Sequence, residues 1–568
     1  MPTAEVPRRW AWPALGAVLL GGLGLRLWGV QEGLPYVYDI DEADHFVPRA
    51  VAMFEQHNLN PHYFANPPAF TYVLHFLFAV AYGSASGVRH AIEQHPTDVY
   101  TLARVAAAVL GVAALWLLYA AGARLFSRGV ALLATAIEAV AFLPVFYGHL
   151  ALNDVPTLAP LTLSLLGTAG VLRKGRVRDH LLAGLGLGLA CASKYTAGIV
   201  LLPLIAAVIA RFLDGEPGAG RRALSGIALA GAAALVAFLI ANPYAVLDYQ
   251  AFRAELVHQS TLSAEAQGKL GAPKQGGVVY YLWSLTWGLG WVPALAALGG
   301  ALTVWRSQVR LGWVLVPAPL LFLAFMGLQG RYFGRWLMPI FPILCLLAAY
   351  FALELAAAGA RRLQPAIGDR RAHGSRIALI VVAVVALCVQ GLVYSVHSDL
   401  VLSRADTRSL TRAWMVAHIP AGAPIVVEPV APDAWGRRWN KYASLVSRIS
   451  ASGALQAGTQ VVGIENYVRT LSPSMIGYYE RYGYCWVVRG STQSGRAFAD
   501  PKAAPLAVAY YHALGRQGEV VYHASPYARG QGPVPFGFDW SFDYYPLAYH
   551  RPGPEMTIYR LHGGRCAS

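Results

Sequence analysis

The chain has 568 residues, of which 56% are hydrophobic and 13% charged, with a formal net charge of +15. Its mean hydropathy of +0.43 is too high for a soluble protein and fits a polytopic membrane protein. The basic residues sit in short clusters between apolar runs, not in one patch; this argues against nucleic acid and for topology signals and contacts to anionic membrane lipid.

The first apolar run, 11–30, lacks a small-residue cleavage site and is expected to be a retained span. At its outer end stands Tyr38-Asp39-Ile40-Asp41-Glu42-Ala43-Asp44-His45-Phe46, with four carboxylates in six positions. Acids beside a bilayer are costly unless they bind something or move protons. The plainer account is a solvated loop in which Asp41 caps an amphipathic helix over 42–57. The functional account makes a carboxylate here the base that takes a proton from an acceptor hydroxyl as it attacks a sugar. One base suffices for an inverting transfer.

Ten further spans are expected near 99–122, 129–149, 155–172, 180–195, 196–212, 223–241, 277–304, 311–328, 335–358 and 376–397, about 11 transmembrane helices in all. The run 67–88 carries Pro67, Pro68 and His75 and decides the topology. With that run at the outer interface, the short inner segments hold 18 basic residues, as the positive-inside rule requires. If it spanned, sixteen of them would move outside. It is therefore predicted to be a juxtamembrane or re-entrant helix.

This topology divides the chain into a transmembrane domain, 1–398, with a catalytic first external loop at 31–98, and a C-terminal extracytoplasmic domain, 399–568. The fold class is a polytopic α-helical membrane protein, with juxtamembrane helices and a soluble α/β domain. In the latter, helices are expected at 406–418 and 501–516, and strands at 424–430 and near 459–463, 484–489, 518–523 and 555–561. Its late aromatics, including Tyr510, Tyr511, Trp540 and Tyr545, are read as core before sugar stacking. Cys485 and Cys566 are the two cysteines of this domain and are expected to pair in an oxidising compartment.

The same topology puts Asp39, Asp41, Glu42, Asn153-Asp154, Lys194 and Gln329-Gly330-Arg331-Tyr332 on one outer face. Asp154 is either an N-cap with Pro156 in the first turn or a second carboxylate of a reaction site. Lys194, Arg331, Arg335 and Arg104 either reach for headgroups or bind a lipid-linked phosphate; Arg335 is assigned to headgroups. Arginine matches phosphate oxygens bidentately, lysine as a point charge. Such cations stabilise charge as a phosphate leaves. Arg331 and Lys194 are the chosen contacts, with Tyr332 assisting by hydrogen bonding. The cluster Asp39, Asp41, Glu42 also has oxygen ligands suited to a divalent cation, and metal need stays open.

Taken in order, these motifs resemble the polyprenyl-phosphate-sugar-dependent glycosyltransferases of the C superfamily, among them the protein O-mannosyltransferases and the lipid A aminoarabinose transferases. Asp41-Glu42 with Phe46 is similar to the family's Asp-Glu motif, and Asn66-Pro67-Pro68 to its X-Pro-Pro motif. Arg104, Asn153-Asp154-Val155-Pro156, Ser193-Lys194-Tyr195 and Arg331-Tyr332 with Pro339 and Pro342 match later ones. The resemblance covers roughly 10–360. It implies inverting transfer of a sugar from a polyprenyl-phosphate donor to a glycan, lipid or protein acceptor at the outer face of the plasma membrane, with Asp41 as base. Asn66 stands where many bacterial members have Lys, which leaves the phosphate to Lys194 and the arginines. The competing class is a transporter or lipid flippase, which predicts charges near the midplane and paired repeats. Here the charges gather at one face and no repeat is visible.

Overall fold

The computed structural model describes residues 6–215, 218–264, 270–442, 447–449, 455–457, 466–537 and 545–567. The chain forms two compact units: Met1–Val30, Asp44–Ala266 and Gln275–His397 make the first, and Gln31–Ala43, Gln267–Lys274 and Ser398–Ser568 the second. The second thus takes in the stretch carrying Asp39, Asp41 and Glu42 as well as the expected C-terminal segment.

The protein is a multi-pass membrane protein. Among the described residues, eight helices are long and apolar enough to cross a bilayer, or up to ten if each of two bent pairs counts as one span. They fall on the predicted apolar runs. Helices Leu158–Arg173 and Val177–Ser193, of 16 and 17 residues, stand at the positions of two further expected spans.

The breaks have identifiable causes. Arg128–Val140 and Phe142–His149 meet at 62°. Pro144 cannot sit four residues beyond Val140 in a continuous helix, because its ring meets that carbonyl. The freed Val140 carbonyl accepts a hydrogen bond from Ser395 Oγ at 3.0 Å. Across the run 67–88, Ala69–Tyr82 and Ala85–Gln94 meet at 94°. Gly83 turns with φ +77°, and Ser84 Oγ caps the next helix by accepting from Gly87 N at 3.1 Å. The run 67–88 is therefore bent and not one straight helix. Close packing rests on small residues: Gly184 and Gly188 bring Val177–Ser193 against Ala219–Ala241, where a Cβ would strike the carbonyls of Ala230 and Ala234.

In the second unit, strands β1 (Pro424–Val427), β2 (Asn440–Lys441), β3 (Ser447–Ile449), β4 (Leu455–Ala457), β5 (Trp486–Gly490), β6 (Glu519–Ala524) and β7 (Met556–Arg560) are described. Five form one sheet in the order β2-β1-β5-β7-β6, and β3 pairs with β4. β1 is parallel to β5, and β7 antiparallel to β5 and β6. Alternation sends Val426, Val487 and Tyr559 to one core and Ile425, Val427, Val488 and Ile558 to another, as the two-residue period of a strand dictates. Helices Thr407–His418 and Pro505–Gln517 are where the pattern places them. Asp406 caps the former by accepting from Arg408 N at 2.7 Å. The expected strand near 459–463 and Trp540 lie outside the described residues. Cys485 and Cys566 form a disulfide with Cα atoms 5.3 Å apart. It ties the start of β5 to the segment after β7.

Candidate active site

Asp154 is the centre of the charged cluster in the first unit. It does not cap a helix: the helix that follows starts at Leu158, and the preceding residue is Thr157. Its side chain, 5% exposed, forms a salt bridge through Oδ1 with Lys194 Nζ, while Oδ2 lies 3.9 Å from Arg335 Nε. Asn153 Nδ2 donates to Ser193 O at 2.6 Å, which holds the two motif segments side by side. Lys194 sits where helix Val177–Ser193 ends in extended backbone before the 3-10 turn Tyr195–Val200. That break turns its ammonium group toward Asp154.

Arg335 lies on the 3-10 turn Gly334–Ile340. Its guanidinium stacks over Tyr147 and Phe333 at 5.5 and 5.3 Å. The expectation that Arg335 reaches for headgroups is thereby corrected: it points inward, with a side chain 12% exposed. Two cations thus meet at one buried carboxylate.

The X-Pro-Pro segment joins the same cluster. Tyr195 OH donates to Phe64 O at 2.9 Å. The Glu255 carboxylate accepts from Phe64 N and, at 2.8 Å, from Ala65 N. Asn66 Nδ2 donates to Tyr63 OH at 2.8 Å. Segments far apart in sequence are thus drawn together by backbone and side-chain bonds, around residues 64–66, 153–154, 193–195 and 335.

Two expected substrate contacts are otherwise engaged, and the side chain of a third is not. Arg104 is buried and donates to Val30 O at 2.8 Å, at the end of the first span. Tyr332 OH donates to Gln275 O at 2.9 Å, so its proton is committed to a carbonyl, not offered to a phosphate. Arg331 N donates to Ser263 O at 3.3 Å, while its Nε is buried without a hydrogen-bond partner.

The end of the first span carries a residue that the sequence reading passed over. Arg26, 1% exposed, donates to Gly22 O at 2.8 Å and Ala139 O at 3.2 Å. Gly111 and Gly148 make room for it: a Cβ at Gly148 would come within 2.8 Å of its side chain. His149 Nε2 lies 3.0 Å from Trp28 O. Arg26, Arg104 and His149 together fix the chain just before the acid loop. A charged residue inside an apolar run was the available signal.

In the acid loop, Asp39 does the capping expected of Asp41. Its Oδ1 accepts from Glu42 N at 2.9 Å, and its carbonyl accepts from Ala43 N at 2.9 Å. Asp41 is half-buried, Glu42 buried and Asp44 exposed. Glu42–Phe46 forms a single π-helical turn, a rare conformation that recurs at functional sites. Among the described residues, no group of three or more His, Cys, Asp or Glu side chains is placed to hold a metal ion.

Comparison with known proteins identifies the architecture. Residues 97–246 match the family model of dolichyl-phosphate-mannose-protein mannosyltransferases, a stretch that includes Arg104, Asp154 and Lys194. The Archaeoglobus fulgidus oligosaccharyltransferase in its apo form superposes with a TM-score of 0.53 at 14% identity, over 93% of this chain and 75% of that one. The chain shares the fold of that oligosaccharyltransferase. The same archaeal enzyme, in complex with an inhibitory peptide and a dolichol-phosphate, gives a TM-score of 0.51 at 14% identity over 91% of this chain and 73% of that one. ArnT from Cupriavidus metallidurans bound to undecaprenyl phosphate aligns over 98% of both chains at 14% identity and a TM-score of 0.48. No curated protein sequence matches. The motif segments, spread between residues 64 and 335, return to one region of the first unit because each lies beside the end of a helix.

Proposed function

We propose that this protein is an inverting membrane glycosyltransferase that takes its sugar from a polyprenyl-phosphate donor at the outer face of the plasma membrane. The observation that carries the reading is the Asp154–Lys194–Arg335 cluster, in a chain that shares the fold of the archaeal oligosaccharyltransferase. Asp41 accepts the proton of an acceptor hydroxyl, assisted by Glu42. The hydroxyl oxygen forms a bond to the anomeric carbon as the bond from that carbon to the phosphate oxygen breaks. The phosphate leaves with the bonding electrons, and Lys194, Arg335 and Arg331 stabilise the charge it gains. Asp154 holds the ends of Lys194 and Arg335 in place for this. Asp39 shapes the turn that presents Asp41. The Cys485–Cys566 disulfide supports an oxidising, extracytoplasmic setting for the C-terminal unit. The acceptor is a glycan, lipid or protein hydroxyl.

Binding of polyprenyl phosphate to the purified full-length protein tests this reading. Saturable binding that weakens about tenfold in Lys194→Met and in Arg335→Gln is expected, since each loses a charge-assisted contact. Binding that is absent, or equal in wild type and both variants, would contradict it.

A further inference from the structure

A second charged site stands at the other end of the same helices. Helix Leu158–Arg173 begins just after Asp154 and ends, 16 residues later, about 24 Å away along its axis. The run that starts at Tyr195, next to Lys194, ends at Phe212. Where these helices finish, a cavity of about 460 Å³ opens, lined by Arg173, Arg211, Arg310 and Asp214. That volume is in the range of small-molecule sites, about 300–1,000 Å³.

Asp214 pairs with Arg211 at 3.1 Å and with Arg310. The lining holds three arginines and one carboxylate. Arg173 is exposed and has no ion-pair partner among the described residues. Apolar walls are supplied by Leu125, Leu172 and Leu311. Cations beside aliphatic walls, at the ends of membrane helices, match an anionic phospholipid: phosphate to the arginines, acyl chains along the leucines. All three arginines belong to the basic clusters that the positive-inside rule assigns to the cytoplasmic side.

We propose that this cavity is a binding site for a phosphate-bearing anion, the headgroup of an anionic phospholipid of the cytoplasmic leaflet, separate from the donor-phosphate cluster at Lys194. A soluble phosphate shares the chemistry but would leave the leucine walls unused.

The test is thermal stability of the full-length protein in detergent, titrated with phosphatidylglycerol, with phosphatidylcholine and with inorganic phosphate. A saturable rise in Tm with phosphatidylglycerol alone is expected, about fivefold weaker in affinity for Arg173→Gln and undiminished in Lys194→Met. Arg173 makes no ion pair that folding depends on, so this variant should fold, and its sugar transfer should be unchanged. Asp214→Asn removes the competing carboxylate and should tighten binding. The same pattern with inorganic phosphate would support an anion site and transfer it from lipid to a free phosphate. Equal titrations for wild type, Arg173→Gln and Asp214→Asn, or no rise at all, would overturn the proposal.

Discussion

At Asp154 two cations meet one carboxylate, and the chemistry that follows depends on which of the three is removed. Arg335→Gln should raise the KM for donor about tenfold, because a charge-assisted contact to phosphate is lost. A headgroup-facing arginine would give no change in that measurement. The sequence showed Asp154 and Lys194 as motif residues. It did not show the role of Arg335, since an arginine at a span end reads the same whether it turns outward or inward. Its direction is set by the 3-10 turn Gly334–Ile340, where Pro339 and Pro342 withhold the backbone donors of a regular helix start. Asp39 and Asp41 were interchanged as cap for a similar reason: acids two positions apart share a capping signature, and the onset of the turn decides between them.

Elements behave more predictably, because hydrophobic periodicity is a property of whole segments. The sheet strands β1, β5, β6 and β7 lie where alternation placed them. Helices Ser474–Tyr482 and Ser491–Ala499 were not anticipated; each is only two turns long and too short for a clear period. The sheet buries Glu428, whose carboxylate accepts from Gly490 N at 2.9 Å and Tyr511 OH at 2.8 Å. Burial pushes this carboxyl up to about 7 from 4.5, against the pull of those two bonds and of Arg489. In the unfolded chain it ionises near its ordinary value. Between these pH values the folded state holds the extra proton, so stability is fullest below about pH 4.5 and is lost as pH rises to about 7. Glu428→Gln should remove that slope, on the order of 3 kcal/mol across the window, as measured by denaturant melts at pH 5 and 7.5. A slope unchanged by the substitution would show that another group causes it. Replacing Cys485 and Cys566 with serine, which opens an 81-residue separation, should cost the second unit about 2–4 kcal/mol. Reducing agent should reproduce that loss in the wild type and leave the serine variant unaffected.

For the molecule as a whole, the membrane architecture was the most legible feature. Apolar runs must be about as long as a bilayer is thick, and arginines mark its inner side. The bend at Gly83 and the break at Pro144 follow from residues visible in the sequence, but their angles follow from packing. The assignment of 31–43 to the same unit as the C-terminal segment was not visible, because it depends on contacts between distant residues. A reporter fused after residue 568 should be active only outside the cytoplasm; activity confined to the cytoplasm would reverse the topology. The central claim is that a carboxylate of the acid loop drives sugar transfer from a lipid-linked phosphate. It is tested most directly by following transfer of radiolabelled sugar from a panel of polyprenyl-phosphate hexoses and pentoses by purified protein. Wild type should transfer label from at least one donor and release polyprenyl phosphate, while Asp41→Asn, still folded, should be slower by about 10²-fold or more. Equal transfer by the two proteins, or none from any donor by the wild type, would contradict the account.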